Sequence, residues 1–138
     1  MIRATAIALF ALAGAVFLPE ARAENDVTLH GVFKAGSLFP TGSVIGVACH
    51  DQANNPANIV GGGKIVPPNG QAKQLVIGSG TYNYAAGTAT LHGKIKGTNI
   101  HFTIGATAST NGPNGVILFS IPGVGTQQAI GKVVIRDW

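Results

Sequence analysis

Carboxylates are few in this chain. Only five Asp and Glu occur in 138 residues. One of them, Glu20, lies in a segment expected to be removed, which leaves Glu24, Asp26, Asp51 and Asp137, the first and last near the chain ends. Acid–base chemistry by a pair of facing carboxylates is therefore nearly excluded. Cysteine occurs once, as Cys49, so no internal disulfide can form and stability has to come from packing. The unbroken apolar run Val44-Ile45-Gly46-Val47-Ala48-Cys49 favours a buried, inert thiol over a reactive one. There is no N-x-S/T sequon, no H-x-x-x-H, no C-x-x-C and no His-rich tract, so the usual sequence signatures of a metal site are missing. Sustained 3.6-residue apolar spacing is absent as well. Of the 20 glycines, 19 follow residue 23, where they would be costly inside helices. Charged residues make up 10% against 46% hydrophobic, which excludes a disordered chain.

The long apolar run that does exist is at the start. Arg3, the stretch Ala4 to Leu18 and Ala21-Arg22-Ala23 follow the order of positive region, apolar region and small-residue cleavage site of a secretory signal peptide. It is too short to span a bilayer comfortably. Cleavage after Ala23 would leave one domain, residues 24–138, secreted or periplasmic, with no stable membrane span. Its formal charge follows from the whole-chain value of +4 by removing Arg3, Arg22 and Glu20, which gives 4 − 2 + 1 = +3. Lys34, Lys64, Lys73, Lys94, Lys96, Lys132 and Arg136 are dispersed along the chain, so nucleic acid is not expected as a partner.

Residue alternation then predicts strands. From Thr88 to Lys96, Ala89, Leu91, Gly93 and Ile95 fall on one face and Thr90, His92 and Lys94 on the other. After Gly97-Thr98, a two-residue loop suited to a type II′ turn, Ile100, Phe102, Ile104 and Ala106 share a face. That register sets Ile95 opposite Ile100, Leu91 opposite Ile104 and Lys94 opposite His101, with His92 diagonal to His101. Lys73 to Tyr84 reads as a strand interrupted by a bulge at Gly78-Ser79-Gly80. A three-residue loop, Ala85-Ala86-Gly87, would pair Tyr82 with Thr90 and Tyr84 with Thr88, bringing both tyrosines to the face of His92 and Lys94. Asp26–Lys34 alternates as a first strand, Ser43–His50 reads as a strand covered on both sides, and Val116–Ile121 and Gln128–Asp137 close the chain. Asp51–Gly70, with Gly61-Gly62-Gly63 and Pro67-Pro68-Asn69-Gly70, reads as the least regular segment and the natural place for a binding loop. The domain is therefore predicted all-β, an antiparallel meander of about eight strands forming an up-and-down barrel. Pattern alone leaves a two-sheet sandwich open.

The candidate ligand-binding residues are Tyr82, Tyr84, His92, Lys94 and His101, grouped on the polar face of the central strands. Two histidines on neighbouring strands could share a metal, but a third ligand has no assignable source and the Lys94 ammonium beside His101 repels a cation, so neither metal nor cofactor is expected. Cys49-His50-Asp51 lists a nucleophile, a base and an orienter in a row, yet consecutive strand residues point to opposite faces and cannot meet. Ile77-Gly78-Ser79-Gly80-Thr81 fails the G-x-S-x-G pattern, and Gly61-Gly62-Gly63-Lys64-Ile65 lacks the Ser/Thr and helix of a phosphate loop. The terminal Trp138 invites an outer-membrane barrel, but Lys132 and Arg136 share its face in an extended strand, placing charges where lipid should lie. The residues thus point to an exported, non-enzymatic β-domain that binds a small apolar ligand or a protein partner. The competing readings are a structural, matrix-type protein that self-associates through sheet edges, and a small enzyme using His92 and His101, with a metal, or His50 and Asp51.

Overall fold

A computed structural model of the chain describes residues 26–52, 55–109 and 114–136, with the backbone alone for residues 52 and 55–58. The expected leader and Trp138 lie outside these residues. Eight antiparallel strands follow one another: β1 (Val27–Phe33), β2 (Val44–Gln52), β3 (Asn55–Val66), β4 (Lys73–Asn83), β5 (Thr88–Ile95), β6 (His101–Thr107), β7 (Gly115–Ile121) and β8 (Gly125–Ile135). Each pairs with its sequence neighbours, and β8 closes on β1 through Val27↔Ile135 to Phe33↔Ala129, so the sheet is a closed barrel and not a sandwich.

The period-2 pattern decides which side chains fill it. Val27, Leu29 and Phe33 of β1, Ile45, Val47 and Cys49 of β2, and Leu91, Phe102, Ile104, Ile117, Phe119 and Ala129 further on are all buried. An eight-stranded barrel is just wide enough for such side chains to meet across its axis, so the interior is a packed core. Outward positions on the same strands, such as His30, Lys64, Lys94 and Lys132, are exposed.

Tight curvature needs glycine on the inner face, because a Cβ there collides with the neighbouring backbone. At Gly63 a Cβ would overlap the Gly46 carbonyl oxygen, and at Gly131 the His30 carbonyl oxygen. Gly131 pairs with Gly31 on one side and Gly115 on the other, which produces an inner corner crossing three strands. The Gly61-Gly62-Gly63 run expected to sit in an irregular loop is therefore the middle of β3, the longest strand, and the only loop between β3 and β4 covers residues 67–72. Ser43–His50 is likewise not covered on both sides. Ile45, Val47 and Cys49 point in, while Val44, Gly46 and Ala48 are half-exposed on the outer wall.

The two barrel ends differ. At one end the β1–β2 loop, residues 34–43, folds back over the opening and inserts Phe39, whose ring centroid lies 5.1 Å from that of Phe33 and 5.2 Å from that of Phe119. Phe102 stacks on Phe119 at 4.8 Å, completing an aromatic plug. Gln127, 2% exposed, stitches the loop down. Its Oε1 accepts from the Leu38 and Phe39 amides at 2.9 and 2.8 Å, and its Nε2 donates to the Lys34 and Phe39 carbonyls at 2.7 and 2.9 Å. This will be called the plugged end. At the other, Asp26 and Asp51 are buried, the Asp51 amide donates to Asp26 Oδ2 at 2.7 Å, and the Tyr82 hydroxyl donates to Asp51 Oδ2 at 3.1 Å.

Candidate functional site

The β4–β5–β6 wall behaves partly as the alternation predicts. The bulge is where glycine marked it: the β4–β5 register shifts between Ile77 and Ser79, leaving Gly78 as the extra residue. Lys94 pairs with His101 and Leu91 with Ile104, as expected from the chain folding back near Gly97. The turn itself is different. Thr98 N donates to Ile95 O at 3.1 Å and Gly97 has φ +81°, so glycine is the third residue of an Ile95–Thr98 turn, where type II geometry needs positive φ, and not the first central residue of a type II′ turn. Ile100 still faces Ile95, through the Ile95 N to Ile100 O bond at 3.0 Å, but it sits beyond the rim with no opposite wall to cover it and is 44% exposed.

The tyrosines do not join the histidines. The turn after β4 takes four residues, 84–87, so Asn83 pairs with Thr88 and Tyr82 with Ala89. That one-residue difference flips Tyr82 to the inner face, where it packs on the core and reaches Asp51 near the Asp26–Asp51 end. Tyr84 is exposed in the turn itself. What remains together on the outer wall is His92, Lys94 and His101. His92 pairs with Ser79 on one side and Thr103 on the other, and its Nδ1 lies 3.2 Å from Thr103 Oγ1.

These residues line an open groove of about 530 Å³ whose floor and walls include Val76, Gly93, Phe102 and Pro122. Val76 is 40% exposed and Pro122 is exposed, whereas Phe102, at 2%, faces the core, so the groove's apolar surface comes from Val76 and Pro122, beside two imidazoles, an ammonium and the hydroxyls of Ser79 and Thr103. Pro122, from the β7–β8 turn, was not visible as a contributor in the sequence, because nothing in local pattern shows that this turn borders the β4–β6 wall. Among the described residues no carboxylate lines the groove. With Lys94 directly beside His101, the local field favours an anion and opposes a cation. Among the described residues no group of three or more His, Cys, Asp or Glu side chains is arranged to hold a metal ion.

The Cys49-His50-Asp51 triplet separates as strand geometry demands. Cys49 and Asp51 point inward and His50 outward, so no nucleophile–base contact exists. Burial pushes the Cys49 thiol up to about 12, far from the range of a reactive thiolate. No family model, no curated protein and no solved structure matches this sequence.

Proposed function

We propose that the chain is an exported, non-enzymatic binding domain that takes a small ligand with an apolar body and an anionic head in the groove formed by His92, Lys94 and His101. The observation that carries this reading is the pairing, in one groove, of apolar surface from Val76 and Pro122 with cationic and hydroxyl groups and, among the described residues, no carboxylate. Binding in the barrel axis is disfavoured, because Phe33, Phe102, Phe119 and their aliphatic neighbours already occupy it. Self-association through sheet edges has no template among the described strands, since each is paired on both sides.

Octyl phosphate, with octyl glucoside as the neutral control, is a suitable probe. Titration followed by amide and imidazole NMR shifts is expected to be saturable for the phosphate and to centre on Gly93, His92 and His101. His92→Ala with His101→Ala leaves folding and stability nearly unchanged, since both side chains are exposed, but weakens octyl phosphate binding. Equal binding of both amphiphiles, or shifts centred away from β5 and β6, would refute the groove assignment.

A further inference from the structure

Among the described residues, five of the seven exposed Lys and Arg side chains lie at or just below the plugged end, with Lys132 and Arg136 toward the other. Up-and-down topology places the ends of β1, β3, β5 and β7 and the starts of β2, β4, β6 and β8 at the plugged end. Lys34, Lys73 and Lys96 stand on that rim, with Lys64 and Lys94 just below it, and all five are exposed. Asp26 and Asp51, the only carboxylates among the described residues, are buried at the opposite end.

Four exposed aliphatic side chains lie near these cations. Ile100 in the β5–β6 turn is 44% exposed, and Val124 in the β7–β8 turn is 66% exposed. Val66, at the last position of β3, is 37% exposed, and Val32, one residue from the end of β1, is 46% exposed. Val32 pairs with Val44 and Val44 with Val66, so an outward aliphatic row runs beneath the rim across three strands. A barrel with no partner gains nothing from aliphatic tips interleaved with lysines around one rim.

We propose that the plugged end is a docking surface for an anionic lipid bilayer, with Ile100 and Val124 entering the interface and Lys34, Lys73 and Lys96 among the headgroups. A second copy of the chain fits poorly, because two such ends would bring lysines against lysines with no carboxylate between them. Nucleic acid would call for aromatic side chains among the cations, and the exposed ones here are aliphatic. Interfacial burial of apolar tips combined with attraction of lysines to anionic headgroups is the pattern of a peripheral membrane protein. The aromatic plug and the Gln127 hydrogen bonds tie the β1–β2 loop of this rim to the barrel.

The proposal stands apart from the groove reading and is tested separately. The mature domain is mixed with phosphatidylcholine vesicles, with and without phosphatidylglycerol, and binding is read by cosedimentation. Binding is expected only with the anionic lipid and to fall with added salt. Each lysine near such a surface contributes about fivefold, so Lys73→Ala with Lys96→Ala should weaken partitioning by about twenty-five-fold. Ile100→Ser with Val124→Ser should weaken it by about tenfold or more. Lys132→Ala, nearer the other end, should leave it unchanged. Binding of polyglutamate or heparin without binding of vesicles would overturn the proposal, as would equal loss on Lys132→Ala or no loss in either double variant. The His92→Ala, His101→Ala double variant keeps vesicle binding and the Ile100→Ser, Val124→Ser double variant keeps octyl phosphate binding, so either reading can fail alone.

Discussion

Replacing Gln127 tests how the barrel end is held. Its amide makes four hydrogen bonds to the backbone of residues 34–39 and is almost fully enclosed. Gly36 lies against the same side chain, since a Cβ there would come within 2.5 Å of Gln127 Cγ. Gln127→Ala removes all four bonds. At about 1 kcal/mol net for each, the loss approaches 4 kcal/mol, and a half-buried loop that readmits water brings it down to about 3 kcal/mol. Gln127→Glu is the sharper probe. Its carboxylate still accepts from the Leu38 and Phe39 amides but turns an oxygen toward the Lys34 and Phe39 carbonyls. Burial beside two carbonyl oxygens raises the introduced carboxyl's folded-state pKa above its unfolded value of about 4.3. Its full stability is therefore present only below that value and is lost as pH rises through the folded pKa. Urea unfolding at neutral and acidic pH, with hydrogen exchange at the Leu38 and Phe39 amides, measures both effects. A loss under about 1 kcal/mol for Gln127→Ala with unchanged exchange at those two amides would refute the account of the plug.

Three other outcomes follow from the same packing. Cys49→Ala should remove an alkaline loss of stability: the thiol ordinarily ionises near 9.0 and is held up to about 12 in the fold, so only the unfolded state ionises between them. Stability is thus complete below pH 9 and falls by about 1.4 kcal/mol per pH unit above it, or about 2 kcal/mol by pH 10.5, and parallel denaturation curves of wild type and variant across that range would contradict it. Gly131→Ala, which forces a methyl group onto the His30 carbonyl, should cost about 3 kcal/mol or prevent barrel closure, whereas Gly105→Ala, whose Cβ meets nothing within 4 Å, should cost under about 1 kcal/mol; denaturant midpoints compare the two. Tyr82→Phe should cost about 1–2 kcal/mol through the lost bond to Asp51, measurable by thermal unfolding, and leave octyl phosphate binding unchanged because Tyr82 lies on the inner face.

The barrel was legible where one face is apolar and the other polar. Leu91, Ile95, Phe102 and Ile104 assign β5 and β6 inward by alternation alone, and Gly78 marks the bulge in β4 because few other reasons place glycine there. The misread parts share a physical cause. Glycine reports both a turn and a tight inner wall, and only the partner strand distinguishes the two: Gly61 and Gly63 serve close approach to β2, whereas Gly87 and Gly97 serve turns with φ +68° and +81°. Turn length was the other blind spot. One extra loop residue at Tyr84 reversed the face of Tyr82 and dissolved a five-residue site into the three residues His92, Lys94 and His101, because a one-residue change in register turns a side chain to the opposite face of the sheet.

Closure of the barrel shapes what the rest of the surface can do. A small β-barrel with a filled axis and no free edge has only its wall and its two ends with which to meet other molecules. One end here encloses its carboxylates, binding Asp51 N and the Tyr82 hydroxyl to them, and so keeps negative charge off the surface. The exposed cations then act without exposed opposite charge among the described residues, and an anion approaching from solvent meets a field of one sign from the rim to the His92–His101 groove. Both proposed contacts, a small anionic amphiphile on the wall and an anionic lipid surface at the plugged end, depend on that asymmetry. Placing a carboxylate on the rim by Thr98→Glu, although it also gives up the Thr98 hydroxyl's bonds to Ile95 O and Ile100 N, should weaken lipid docking while leaving Lys94, His92 and His101 in place.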